Sequence, residues 1–290
     1  MASSLSVPKA FFLAARPRTW IASISPVLIG ASFVKGVNGP LLLCTLLFAL
    51  FIQIGTNFAN DAFDFLKGAD TDERKGPPRA VQQGWISVQG MFWATALVFG
   101  AALVAALPLI AMMGAWAFAL SLLCVAFGVL YTGGPKPLGY LGLGEVLVLV
   151  FFGPVATCGT YYVQTLQFHP AVFLASLAPG LLSCSLIVAN NLRDWETDKK
   201  ANKRTLIVRF GQTFGRWEYV GCIELASLVP ILLVTLCGAP LQLGLLSLIS
   251  LLAFPLLQRA MQGSDFVPLL QGSGMLLWGY TLAFCLLNGI

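Results

Sequence analysis

Charged side chains are scarce in this sequence. Only 10% of its 290 residues are Asp, Glu, Lys or Arg, whereas 58% are hydrophobic. Soluble domains carry about 25% charged residues, so a water-soluble globular protein and a disordered chain are both excluded. The seven cysteines include no C-x-x-C pair, which excludes an evident zinc site or disulfide framework. The formal net charge is +5. In a membrane protein an excess of Lys and Arg mainly reports topology, so nucleic acid is not expected as a partner.

Long uncharged stretches predict an all-α, polytopic membrane protein with nine transmembrane helices, because a spanning helix needs about 20 apolar residues. Proline and glycine divide the two longest stretches, 80–135 near residues 108–114 and 146–192 at residues 169–170. The predicted spans are 19–34, 36–60, two within 80–135, two within 146–192, 216–237, 240–259 and 266–290. No secretory signal peptide is expected. We expect one transmembrane domain over residues 1–290.

The distribution of basic residues predicts the orientation of these spans. With a cytoplasmic N-terminus, the interior segments are 1–18, 61–84, 132–144, 193–216 and 259–265, and they hold 16 of the 17 Lys and Arg residues. Only Lys35 falls outside. Since cytoplasmic loops are enriched in Lys and Arg, and one missed helix would invert every later loop, we expect the N-terminus inside and the C-terminus outside.

The few charges are concentrated in two windows. Residues 61–79 and 193–209 hold 18 of the 29 charged side chains. Each window follows a span that runs from outside to inside. The first begins with Asn57, Asn60, Asp61 and Asp64. At about 100° per residue, positions 57, 61 and 64 fall within roughly 60° on one helix face.

The second window has the same character. Asn190, Asp194 and Asp198 cover roughly 80° of a helix, provided that the helix continues that far. Acids at a helix C-terminus oppose the helix dipole, and acids at membrane depth are expensive and usually functional. Oxygen ligands of this kind suit Mg²⁺, which commonly bridges protein carboxylates and substrate phosphates. Basic residues beside such acids are also what a pyrophosphate site requires.

These residues resemble the signatures of the UbiA superfamily of intramembrane prenyltransferases. The resemblance rests on N-D-x-x-D at residues 60–64 and D-x-x-x-D at residues 194–198. It covers nearly the whole chain, and it implies a helical bundle around a central cavity. Finer strings at residues 57–68, 76–84, 131–137, 142–145, 190–194 and 204–209 look like the 1,4-dihydroxy-2-naphthoate branch, which serves menaquinone and phylloquinone synthesis.

The resemblance implies Mg²⁺-dependent transfer of a polyprenyl group from an allylic pyrophosphate to an aromatic acceptor, with decarboxylation if the acceptor is 1,4-dihydroxy-2-naphthoate. The implied metal ligands and catalytic acids are Asp61, Asp64, Asp194 and Asp198, assisted by Asn57, Asn60 or Asn190. The candidate pyrophosphate ligands are Lys67, Arg74, Arg79, Arg193, Lys203 and Arg204. Lys136 is expected to meet the carboxylate of the acceptor. Tyr131 is expected either to flank a substrate or to serve as an interfacial aromatic residue.

Two positions depart from the family pattern. In the first signature, Gly68 stands where many members have a third acid. Either Asp70 or Asp72 takes the place of that acid, or two acids suffice. In the second signature, Asn202 stands where members have the third acid. Both departures leave the number of Mg²⁺ ions open.

Two other functions compete with this hypothesis. One is the same chemistry on another acceptor, such as 4-hydroxybenzoate, homogentisate or the vinyl group of haem. The other is a cation-coupled transporter, for which acids are expected near the bilayer midplane on broken helices. The location of the acids at interior helix ends favours the enzyme. We expect it in a bacterial inner membrane or an equivalent organelle membrane, with the lipid bilayer, the polyprenyl pyrophosphate and the acceptor as its partners and the active site on the cytoplasmic side.

Overall fold

The structure, a computed structural model, describes residues 5–70, 76–263 and 265–288. Every regular element in these ranges is helical, as the sequence predicts. Two 3₁₀ segments cover Pro17–Thr19 and Leu241–Leu248, and a π-helical turn covers Phe151–Val155. The α-helices are α1 Val7–Ala14, α2 Trp20–Ala31, α3 Gly39–Leu66, α4 Val88–Met113, α5 Ala115–Leu130, α6 Gly144–Val150, α7 Ala156–Thr165, α8 Pro170–Lys200, α9 Leu206–Phe210, α10 Gln212–Cys237, α11 Ile249–Gln262 and α12 Val267–Asn288.

Seven helical segments of the described chain are long and apolar enough to cross a membrane. They are Gly39–Leu66, Val88–Met113, Gly144–Thr165, Pro170–Lys200, Gln212–Cys237, Leu241–Gln262 and Val267–Asn288. Two of the nine predicted spans correspond to shorter helices, because α2 has 12 residues and α5 has 16. The number of nine spans and the orientation of the N-terminus therefore remain predictions.

The breaks between helices follow local backbone chemistry. Gly114, with a φ of 80°, separates α4 from α5 within the predicted interval. His169 caps α8 at its N-terminus, since its Nδ1 accepts a hydrogen bond from the Ala171 amide at 3.2 Å, and Pro170 occupies the first helical position, where proline is favoured. Both observations agree with the breaks predicted from the sequence.

The two motif helices extend past the ends of the predicted spans. Helix α3 continues to Leu66 rather than ending near residue 60, and α8 continues to Lys200 rather than ending near residue 192. Each acidic motif is therefore helical along its whole length. The condition for placing Asn190, Asp194 and Asp198 on one face is met.

The buried apolar residues form two clusters, one around α8 and one beside α3. Helix α8 is largely buried and packs against α10, α12, α6 and α2, with Leu182, Leu192 and Ile223 in the main core. Helix α3 packs mainly against α4. A second core joins α1, α3 and the segment after the first motif, where the Phe11 and Phe58 rings lie 5.8 Å apart. This arrangement brings the two acidic helix ends to the same cavity.

Candidate active site

A cavity of about 340 Å³ lies between α2, α3, α5, α7 and α8. Its polar end lies where α3 and α8 end, and the rest of its wall is mainly aliphatic and aromatic. Both acidic motifs therefore contribute to one chamber that is charged at one end and apolar along its length. The sequence-predicted residues that line it are Asn57, Asn60, Asp64, Arg79, Tyr131, Asn190, Arg193, Asp194 and Lys203.

Asp61 lies behind the cavity wall. It is only 1% exposed, its Oδ1 accepts a hydrogen bond from the Val81 amide at 3.0 Å, and its Oδ2 accepts one from the Ala80 amide at 3.1 Å. These bonds fasten the chain after the first motif to α3, directly beside Arg79. In this structure the Asp61 carboxylate therefore holds the backbone next to Arg79.

Asp64 faces the cavity and contacts two side chains. Its Oδ1 accepts a hydrogen bond from the Tyr140 hydroxyl at 2.9 Å, and its Oδ2 lies 3.4 Å from a terminal nitrogen of Arg79. The Arg79 Nε lies 3.4 Å from Oδ1 of the buried Asp70. Asp70 thus supplies an acid close to the first motif although Gly68 carries none. The other candidate for that part, Asp72, is outside the described residues.

The two asparagines of the first motif brace neighbouring segments. The Asn57 side-chain amide donates to the Ala15 carbonyl at 3.0 Å and to the Thr19 hydroxyl at 3.2 Å. The Asn60 Oδ1 accepts a hydrogen bond from the Thr132 hydroxyl at 2.7 Å. Since an amide oxygen has two lone pairs, Asn60 keeps acceptor capacity toward the cavity.

The acids of the second motif are paired with basic side chains. Arg193 and Asp194 form a bidentate pair, with Nε to Oδ1 at 2.8 Å and a terminal nitrogen to Oδ2 at 2.6 Å. Asp198 lies outside the lining, 3.4 Å from the Lys203 Nζ through its Oδ1. Its Oδ2 is buried and has no hydrogen-bond partner in the described part of the protein.

Tyr140 links the two motifs, and sequence reasoning did not identify it. Its hydroxyl contacts Asp64, and its ring centroid lies 6.0 Å from the Lys67 Nζ and 5.7 Å from the Lys203 Nζ. Its backbone carbonyl accepts the Arg204 amide at 3.0 Å. Burial raises the pKa of the Tyr140 hydroxyl, and the Asp64 charge raises it further, so the hydroxyl stays protonated and donates. The only sequence signal was its position two residues before Gly142 in the string at 142–145.

Arg16 and Asn191 also line the cavity and were not singled out from the sequence. Arg16 precedes Pro17 in a left-handed conformation with a φ of 50°. The Asn191 amide donates to Oε1 of the buried Glu145 at 2.7 Å, which fixes its orientation. The adjacent pair Asn190 and Asn191 was the available signal for the second residue.

Three predicted pyrophosphate or acceptor ligands lie outside the lining. Lys67 donates to the Gly134 carbonyl at 2.9 Å, whereas Lys136 and Arg204 are exposed. Arg74 is outside the residues that the structure describes. Tyr131, in contrast, lines the cavity.

The donor set at the polar end fits a hard divalent cation. Asn60, Asp64, Asn190 and Asp194 offer amide and carboxylate oxygens to the cavity, and Mg²⁺ prefers such ligands. The buried Asp198 Oδ2 is a further acceptor without a hydrogen bond to the described residues. No group of three acidic, His or Cys side chains that could hold a metal ion occurs within 5–70, 76–263 and 265–288. The carboxylates of Asp64 and Asp194 are instead paired with arginines.

Comparisons with known proteins agree with the helical fold. A model described as the UbiA prenyltransferase family matches residues 23–286. The chain is 37% identical to the 1,4-dihydroxy-2-naphthoate octaprenyltransferase of Mycobacterium tuberculosis over 95% of this chain and 96% of that protein. It is 35% identical to the enzyme of the same name from Escherichia coli over 88% and 84% of the two chains. Its fold is similar to a UbiA homolog from Archaeoglobus fulgidus bound to GPP and Mg²⁺, with a TM-score of 0.69, 15% identity and coverage of 97% and 100%.

Proposed function

The chain belongs to the UbiA prenyltransferase family, and we propose that it transfers a polyprenyl group from an allylic pyrophosphate to 1,4-dihydroxy-2-naphthoate. It is a prenyltransferase enzyme, and its relatives in menaquinone biosynthesis carry the octaprenyltransferase name. The observation that supports the proposal most directly is the cavity, whose polar end is built from both acidic motifs and whose length is apolar. A charged leaving group and a long hydrocarbon tail require those two environments.

At the polar end, Asp64, Asp194, Asn60 and Asn190 would hold Mg²⁺, with Asp198 as a further oxygen donor. Bound there, Mg²⁺ would supply electrostatic stabilisation of the negative charge that develops on the leaving pyrophosphate. Arg79, Arg193 and Lys203 line the same end and would bind pyrophosphate oxygens by charge-assisted hydrogen bonds. Arg79 and Arg193 are paired with Asp64 and Asp194 in this structure, so substrate binding would exchange those pairs for contacts to phosphate.

The remaining steps involve the apolar wall. Cleavage of the allylic C–O bond sends its electron pair to the pyrophosphate and leaves an allylic carbocation. Phe127 and Phe151 line the cavity with ring centroids 5.2 Å apart, and aromatic faces stabilise a nearby cation. The electron-rich ring carbon of the acceptor then forms the new C–C bond. Loss of CO₂ from that carbon returns the electrons to the ring.

The protein is a multi-pass integral membrane protein. We place its polar cavity end on the cytoplasmic side of a bacterial inner membrane, or of an equivalent organelle membrane. The segments that carry the two motifs are rich in Lys and Arg, and such segments face the cytoplasm. Water-soluble acceptors would enter from that side. The proposed assignment of Lys136 to the acceptor carboxylate depends on a movement of its exposed loop toward the cavity.

An acceptor panel tests the proposed function. Purified protein with Mg²⁺ and labelled octaprenyl pyrophosphate is offered 1,4-dihydroxy-2-naphthoate, 4-hydroxybenzoate or homogentisate. With the naphthoate we expect transfer of the label to the acceptor and release of CO₂. Both should be lost when EDTA removes the metal. Transfer to 4-hydroxybenzoate alone would contradict the acceptor, and activity that persists in EDTA would contradict the metal.

A further inference from the structure

The cavity extends through most of the depth of the bundle. On α3 its lining begins at Asp64 and reaches Thr45, which lie about 28 Å apart at the helical rise per residue. This distance is close to the roughly 30 Å thickness of a bilayer hydrocarbon core. The space available to a substrate tail therefore runs along about 28 Å of α3, and its deep end is far from the charged residues.

Helix α7 forms one wall of the deep end. The side of α7 that faces the cavity consists of Ala156, Gly159, Thr160 and Val163. A Cβ built at Gly159 has no heavy atom within 4 Å outside its own helix, so a side chain there would project into open space. Gly30 on α2 differs, because its Cβ would collide with the Thr157 backbone. Gly30 is required for helix packing, whereas Gly159 leaves part of the cavity empty.

The depth of Gly159 can be expressed in substrate length. It lies about 20 Å beyond Glu145 along α6 and α7, and Glu145 is level with Asn191 at the polar end. An extended chain advances roughly 1.2 Å per backbone bond, so one isoprene unit spans about 5 Å and Gly159 lies about four units from the pyrophosphate.

From this geometry we propose that Gly159 is a specificity-determining residue for prenyl chain length. By carrying no side chain it leaves room for tails longer than about four isoprene units, and a larger residue there would exclude them. This inference rests on the proposed function, since it assumes that the cavity binds the polyprenyl tail. It goes further by assigning the length limit to one position on α7.

The test compares a long and a short donor. Wild-type protein and the variants Gly159→Ala, Gly159→Val and Gly159→Leu are assayed with octaprenyl pyrophosphate and with farnesyl pyrophosphate, using the acceptor that the wild type accepts. We expect the ratio of kcat/KM for octaprenyl over farnesyl to fall progressively along the series. For Gly159→Leu the fall should be about tenfold or more, as for an overpacked apolar site.

Gly100→Leu is the matched control. Gly100 is an exposed glycine of α4 outside the cavity lining, and a Cβ there also meets nothing within 4 Å. Its donor ratio should equal that of the wild type. An unchanged ratio in all three Gly159 variants would refute the inference, as would an equal loss with both donors in the folded Gly159→Ala protein. Failure of the wild type to use either donor would refute the proposed function instead.

Discussion

The four acids of the two motifs differ in what their oxygens contact. Asp61 accepts two backbone amides, Asp64 contacts Tyr140 and Arg79, Asp194 is paired with Arg193, and Asp198 lies beside Lys203. The sequence treats them as equivalent, because each falls on the same face of its helix. Since Asp61 is buried outside the cavity lining and each of its oxygens accepts a backbone amide, we assign it to positioning, and we assign Asp64 and Asp194 to the metal and the leaving group.

Substitution of Asp61 and Asp64 by asparagine distinguishes these roles. Asp64→Asn should lower prenyl transfer about 100-fold and raise the Mg²⁺ concentration needed for half-maximal activity, because a charged ligand is lost. Asp61→Asn should mainly lower the free energy of unfolding, by about 1–3 kcal/mol, because a charged acceptor of two amides is lost. Activity against Mg²⁺ concentration and thermal unfolding in detergent measure the two effects. A large shift in the Mg²⁺ requirement of Asp61→Asn would show that Asp61 is a metal ligand after all.

Tyr140 offers a second prediction at this scale. Tyr140→Phe keeps the ring between the two lysines and removes the hydrogen bond to Asp64, so transfer should fall about tenfold, as for other residues that orient a ligand. Tyr161→Phe is the control, because Tyr161 lies outside the cavity lining. Steady-state rates at saturating Mg²⁺ provide the measurement. Equal rates for the two variants would mean that the Asp64 contact is not needed.

At the level of elements, the cavity depends on the close approach of α8 to the π-helical turn between α6 and α7. A Cβ at Gly180 would lie 2.9 Å from the Leu149 carbonyl and 3.1 Å from the Gly153 Cα. Pro154 follows Gly153 inside this turn, where regular helical hydrogen bonding is interrupted. Glycine at both contact positions lets the bent segment pack on α8 and curve around the cavity.

Gly180→Ala should therefore destabilise the protein by about 1–3 kcal/mol, because backbone atoms must shift to admit the methyl group. Gly221→Ala on α10 is the matched change, since its Cβ meets nothing within 4 Å. There the better helix propensity of alanine should raise stability, by up to about 1 kcal/mol. Thermal unfolding in the same detergent gives both values. A Gly180→Ala protein as stable as Gly221→Ala would contradict the proposed close packing.

At the scale of the whole molecule, the basic residues lie almost entirely in the segments expected on one side of the membrane. The positive-inside distribution predicts that Lys136 faces the cytoplasm and Lys35 the opposite side. Reporter domains inserted after residues 136 and 35 should therefore report opposite compartments in a bacterial host. Three spans are predicted between residues 35 and 136, and an odd number of spans places the two sites on opposite sides of the membrane. Both reporters in one compartment would therefore contradict the nine-span prediction. This experiment also decides on which side the polar cavity end lies.

The sequence by itself determined the helical membrane class, the breaks at Gly114 and Pro170, and the two acidic motifs on one helix face each. These features depend on local composition and on the helical period, which act over a few residues. The sequence pattern could not distinguish the roles of Asp61 and Asp64, because both lie on the same helix face. It also could not identify Tyr140 or Gly159, because neither belongs to a motif.

Only the tertiary structure decided which of these side chains share a cavity. The backbone amides that bind Asp61 come from residues 80 and 81, and the hydroxyl that binds Asp64 comes from residue 140. The empty space beside Gly159 exists because no heavy atom of another element comes within 4 Å of a Cβ there. Such contacts join residues distant in sequence, and they follow from how the helices pack, which no local periodicity encodes.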